Sequence, residues 1–62
     1  GFMKIGDLVS FRQQHDEAVG VVVEVDNTGK RGRHCVAISW SFLDGCVGWN
    51  SKADVEVINE SR

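Results

Sequence analysis

Apolar and polar residues alternate with period two along most of this chain, and no stretch repeats apolar residues at helical spacing for two full turns. The clearest case is VGVVVEVD, Val19 to Asp26. Glu24 has to face water, so strict alternation turns Val21, Val23 and Val25 together toward the interior. Gly20 then falls on the Glu24 face, where a missing side chain permits a bend or a close neighbour. MKIGDLVSF, Met3 to Phe11, predicts a first strand with a Gly-Asp interruption near its start. HCVAISWS, His34 to Ser41, sets Val36, Ile38 and Trp40 against Cys35, Ala37 and Ser39. CVGWN predicts a short fourth strand, SKAD at 51–54 one turn of tight 3-10 helix, and VEVI, Val55 to Ile58, a fifth strand.

The connectors read on turn chemistry. RQQHDEA, Arg12 to Ala18, is a polar loop; NTGKRGR carries two glycines and a turn-forming Asn; FLDG holds the Asp-Gly pair of a tight reversal. The tail NESR reads as frayed, and Gly1-Phe2 ahead of Met3 as a cloning remnant before the natural start. Five short strands without a helix to cover them either curl into a small barrel or leave open edges. The expectation is therefore all-β: one five-stranded barrel over residues 3–58, with a 3-10 turn near 51–54. Its inward set is Ile5, Val9, Phe11, Val21, Val23, Val25, Val36, Ile38, Trp40, Val47 and Val57.

Size and charge narrow the function. A 62-residue chain buries only about 60% of the surface its unfolded form exposes, so it holds one small core and little room for a sheltered catalytic centre. Net charge is −2, from nine acids and seven bases, which argues against a dedicated nucleic-acid binder. The longest apolar run, Val21 to Val23, is far short of the ~20 residues of a membrane span, and no signal segment opens the chain. The reading is cytoplasmic, with no membrane partner. Cys35 and Cys46 would lie near 20 Å apart along the hairpin, well outside the ~4.4–6.8 Å of a disulfide, so both read as reduced, partly buried thiols.

Candidate chemistry is sparse. His15, His34, Cys35 and Cys46 supply zinc-type atoms without zinc spacing, so neither a metal nor another cofactor is expected. Asp16-Glu17 lacks a basic partner nearby in sequence, and Asp7 after Gly6 suits a hydrogen bond to its own turn. Three of the seven bases fall at Lys30, Arg31 and Arg33, beside His34, with Gly29 and Gly32 letting the backbone approach a phosphate. Against that stands a plain solvated loop with Glu24 and Asp26 beside it; the stretch is no Walker loop, since Glu24 and Arg31 occupy its required Gly and Ser/Thr positions. Trp40 belongs to the core by alternation. Trp49 is open between core and a stacking platform, with Phe42 as a second stacking candidate.

KIGDLV, GVVVEV, VAISW, an Asp-Gly turn, VGW and DVEVI, in that order, resemble the SH3-like small barrel, in particular its KOW-like branch and the short SH3-like proteins encoded by tailed bacteriophages. The resemblance spans Lys4 to Ile58. The fold hosts many functions, so the functional expectation rests on its short exposed edges and small core, which suit docking or self-association. That expectation is a non-enzymatic, phage-encoded interaction module that binds a protein, either a host factor or a virion component, in the host cytoplasm or the virion. The alternative is weak, non-sequence-specific nucleic-acid binding through the 27–35 loop. The chain departs from the family's proline-rich-peptide binders, which need several Tyr, because it has none. A tudor-type cage needs three or four convergent aromatics, for which only Trp40, Phe42 and Trp49 are candidates, and CVGWN lacks the Val-Gln-Ile-Tyr strand of the type II dihydrofolate reductases that share the barrel.

Overall fold

Alternating segments become strands by pairing, and the valine-rich segment sits at the centre. A computed structural model describes residues 3–13 and 18–58. Its strands are β1 (Leu8–Phe11), β2 (Val19–Val25), β3 (Val36–Trp40), β4 (Val47–Asn50) and β5 (Val55–Val57), with 3-10 turns at Ser41–Leu43 and Lys52–Asp54. They form one antiparallel sheet in the order β4-β3-β2-β1-β5. The all-β class and the 51–54 turn are as the sequence predicts. Among the described residues, pairing between β4 and β5 does not close the sheet, and β4 and β5 form its two edges. No helix of the described residues is long and apolar enough to cross a membrane. The NESR tail and the 14–17 part of the polar loop, with His15 and Asp16-Glu17, lie outside the described residues.

One face of the sheet carries the core: Val9, Val22, Val36, Ile38, Trp40 and Val55, with Phe11 and Val25 packed against them. Each fully buried aliphatic side chain here contributes roughly 1.5–3 kcal/mol. The phase of β2 departs from strict alternation. Val22 pairs with Ile38, but the next paired residue, Glu24, faces Ala37, so Val23 is an extra residue in a β-bulge. Before the bulge Gly20 and Val22 face the core; after it Val25 does, opposite Val36.

Five members of the expected inward set are exposed instead. Val21 and Val23 project from the outer face, and Val47, paired with Ser39 on that same face, is 54% exposed. Val57 shares the core face with Val9 but lies on the edge strand and stays exposed. Ile5, 66% exposed, is not in a strand at all. The first strand begins only at Leu8, because Lys4–Asp7 is a turn: Asp7 N–H donates to the Lys4 carbonyl at 3.1 Å, and Lys4 N–H to the Asp7 carboxylate at 3.0 Å. That main-chain donor is the chief reason the Asp7 carboxyl titrates below its ordinary range.

Trp40, 2% exposed, lies in the core as the alternation predicts. Its ring stacks on Phe11 at 4.5 Å between centroids and 15° between planes, although β2 runs between their two strands. Gly20, opposite Trp40 on one side and Val9 on the other, makes this possible. A Cβ built there would come within 2.4 Å of Ile38 Cγ2 and 2.8 Å of Trp40 Cε3. At the far end of β1, Arg12 fastens the second 3-10 turn: its N–H donates to the Asp54 carbonyl at 3.0 Å, its Nε to the Ala53 carbonyl at 2.9 Å, and Nη1 pairs with Glu56 at 3.3 Å. Ser51 caps that turn by accepting the Ala53 N–H at 3.1 Å.

Gly20→Ala is expected to destabilise the protein by about 1–3 kcal/mol through overpacking and to weaken the near-ultraviolet dichroism of the Trp40–Phe11 stack. Denaturant melts together with that spectrum check it; an unchanged midpoint would contradict the close approach.

Candidate functional site

The β2–β3 connection, 26–35, is built on one carboxylate. Asp26 Oδ1 accepts the Thr28 N–H at 2.9 Å and the Thr28 hydroxyl at 2.6 Å, while Oδ2 accepts the Arg31 N–H at 3.3 Å. The Thr28 hydroxyl oxygen in turn accepts the Lys30 N–H at 3.1 Å, and the Asp26 N–H donates to the Cys35 carbonyl at 2.8 Å across the base of the loop. Gly29 and Gly32, at φ +82° and +61°, supply the left-handed turns this path requires. These bonds hold the Asp26 carboxyl below the usual aspartate range, the Thr28 hydroxyl first and the Thr28 N–H next, with Arg31 adding to them and desolvation opposing.

That ordering places Arg31 over a tryptophan. Its guanidinium carbon lies 3.8 Å from the Trp49 ring centroid, a cation–π contact worth about 0.5–1 kcal/mol at an exposed site. Trp49 is half-buried on the outer face of β4, in the cross-strand row Glu24–Ala37–Trp49. Lys30, Arg31 and Trp49 line one open depression together with Glu24, Asp26 and Thr28. Of the six residues singled out in the sequence, this depression gathers three. Arg33 and His34 are exposed elsewhere on the loop. Phe42 lies on the first 3-10 turn at the opposite end of the β3–β4 ladder, 54% exposed, with its ring 5.7 Å from Trp40. Some five residues of strand separate it from Trp49, on the order of 16 Å, too far for one stacking platform.

The two basic groups of the depression, Arg31 and Lys30, are thus engaged or offset. Arg31 covers the ring a base would stack on, and two carboxylates share the depression with Lys30. Cys46 is an exposed thiol and Cys35 a buried one. Among the described residues, no three His, Cys, Asp or Glu side chains come together as a metal-holding group.

A second surface had no signal in the sequence. Leu8 pairs with Val21, Val21 with Ser39, and Ser39 with Val47, so these four form a straight row across β1 to β4 on the outer face. Leu8, Val21 and Val47 are each more than a third exposed, and Val23 projects beside them at the bulge. Strict alternation back from Glu24 buries Val21, and the bulge brings it out; Val47 is outside because it pairs with Ser39, on the face opposite Ile38.

Two outcomes follow. Because Trp40 is sealed, dynamic quenching of fluorescence by acrylamide reports on Trp49, and Arg31→Ala is expected to raise the quenching constant. An unaltered constant would mean Arg31 does not shield the ring. A carboxylate with a lowered folded-state pKa contributes stability that is present above its unfolded pKa and lost as pH falls through the folded one. Amide protection at Thr28 and Arg31 should therefore fall with acidification below the ordinary aspartate range, and Asp26→Asn should remove that pH dependence; hydrogen exchange at a series of pH values measures both. Comparison of the chain with protein-family models, with curated protein sequences and with solved structures returns no match, so the site is interpreted from its own geometry.

Proposed function

We propose that the protein is a non-enzymatic interaction module, an SH3-like small barrel of the tailed-phage kind, that docks a protein partner on the outer face of its sheet. The observation that carries this reading is the row Leu8–Val21–Ser39–Val47: three apolar side chains aligned in register and left to water. Contiguous exposed apolar surface on a soluble domain marks an interaction site far more specifically than scattered exposed residues do. The bulge at Val23 supports the barrel, since a bulge bends and twists its strand, which is how a short sheet begins to curl. The partner, a host factor or a virion component, presents apolar side chains to this row; flanking Glu24 favours a basic fringe around them.

A second reading, weak nucleic-acid binding, rests on Lys30, Arg31 and Trp49 lining one depression. With about 2–3 phosphate contacts its affinity would be low and modestly salt-dependent.

Two variants separate the readings. Leu8→Ser/Val21→Ser is expected to lose roughly ten-fold or more in affinity for the protein partner, as apolar truncations at an interface do, while Lys30→Ala/Arg31→Ala/Arg33→Ala leaves it unchanged. Chemical-shift titrations with single-stranded DNA, duplex DNA and RNA at physiological salt form the other arm. Saturable shifts confined to 27–35 and abolished by the triple variant would transfer the function to nucleic acid.

A further inference from the structure

The β4 edge differs from ordinary sheet edges. From Cys46 to Ser51 it carries no charge and no proline, and the bulge of this sheet lies on β2 instead. Proteins normally guard an exposed strand with such devices, because its unpaired N–H and C=O groups template pairing with another chain. The opposite edge is guarded: β5 is only three residues long and carries Glu56, ion-paired to Arg12.

We infer that β4 pairs antiparallel with β4 of a second copy of this chain, in a register centred on Gly48. A twofold axis normal to the sheet keeps the two outer faces on one side, so residues pair only with residues of the same face. Val47 and Trp49 lie on the outer face, and Gly48 and Asn50 on the other. Centred on Gly48, Val47 meets Trp49 of the second copy, and Cys46 meets Asn50. Beyond the strand ends the chain turns, with Asp44 in a left-handed turn and Lys52 opening the second 3-10 turn. The same twofold brings the Asp44 end of one copy toward the Lys52 end of the other, twice by symmetry.

Charge selects this register over its neighbours. Centring on Trp49 would set Asp44 against Asp54, like against like, and would stack Trp49 on itself. Centring on Val47 would set Trp49 against Gly45 and Lys52 against Phe42. Asp44 and Lys52 are both exposed at opposite ends of β4, and among the described residues neither takes part in an ion pair. Gly48 offers little obstruction at the axis: a Cβ there would meet only Asn50 Oδ1, at 4.0 Å. Pairing would join the two outer faces, running the Leu8–Val21–Ser39–Val47 row of one copy into the Trp49–Ala37–Glu24 row of the other.

The test uses the whole chain, by sedimentation velocity and amide chemical shifts from about 10 μM to about 1 mM, a span suited to weak edge-mediated association. Concentration-dependent shifts confined to 44–52 are expected. Val47→Lys, the natural edge-blocking residue, should weaken association about ten-fold or more. Asp44→Lys and Lys52→Asp should each weaken it about three- to ten-fold, and the two together should restore it. Circular dichroism confirms that each variant is folded. A wild-type chain that stays monomeric at the highest concentration, shifts that map elsewhere, or a charge-swapped pair that fails to recover would overturn the pairing. Because the swapped charges lie away from Leu8 and Val21, this outcome and that of partner docking are read independently.

Discussion

Everything in this small sheet turns on the bare backbone at Gly20. Strands two apart in a sheet are separated by roughly 9–10 Å, yet Trp40 on β3 stacks on Phe11 of β1 across the intervening β2. The two rings can meet only if nothing rises from β2 between them, and β2 offers Gly20 there and buried Ala18 just before it. The stack ties β3 to β1 over the top of their shared neighbour, which no ladder hydrogen bond can do. Phe11 also faces Val55, so the same contact reaches the final strand. A chain this short has few side chains to spare, and the absence of one here matters as much as the presence of Trp40.

The bulge at Val23 is the complement of that glycine. Gly20 and Val22 must face inward to make room and to fill it, whereas Val25 must face inward to cover Val36. No unbroken strand presents residues 20, 22 and 25 to one side, because its side chains alternate with period two. One extra residue reconciles them. The consequence is chemical: three valines that an unbroken strand would share differently between core and solvent are divided so that Val21 and Val23 meet water, beside Leu8 and Val47. The exposure of Val21 and Val23 is a by-product of how the core is phased, and the row that Val21 joins is apolar at three of its four positions.

How much of this could be read from residues alone depends on whether polarity labels each position. In β3, Val36, Ile38 and Trp40 alternate with smaller residues and their phase is legible, as are the strand itself and the capped SKAD turn. In β2 the only label is Glu24, and it lies beyond the bulge, so the phase extrapolated backwards from it is inverted for Val21 and Val22. Val-Val-Val has no polar member to reveal the slip. Ile5 looked like strand because it alternates with its neighbours, but the Asp7 carboxylate captures the Lys4 N–H and folds the segment into a turn. At the candidate site, Lys30, Arg31 and Trp49 were legible as types; their meeting was not, because a loop and a strand eighteen residues apart have no local signature of contact.

The fate of Arg31 shows why a cluster of basic residues need not be an anion site. A cation binds phosphate strongly when it is free to desolvate toward it and no carboxylate competes nearby. Here the Asp26 carboxylate organises the loop through Thr28 and the Arg31 main chain, and in doing so delivers the guanidinium to the Trp49 face. A nucleobase would have to displace that contact, and a phosphate would have to share the depression with Glu24 and Asp26. Both costs fall on the few interactions a loop of this size can offer. The apolar row carries no such debt: its side chains are already solvent-exposed, lie on strands and not on a loop, and release water when covered. Rigid placement and cheap desolvation together are why the docking we propose falls on the sheet face and not on the basic loop.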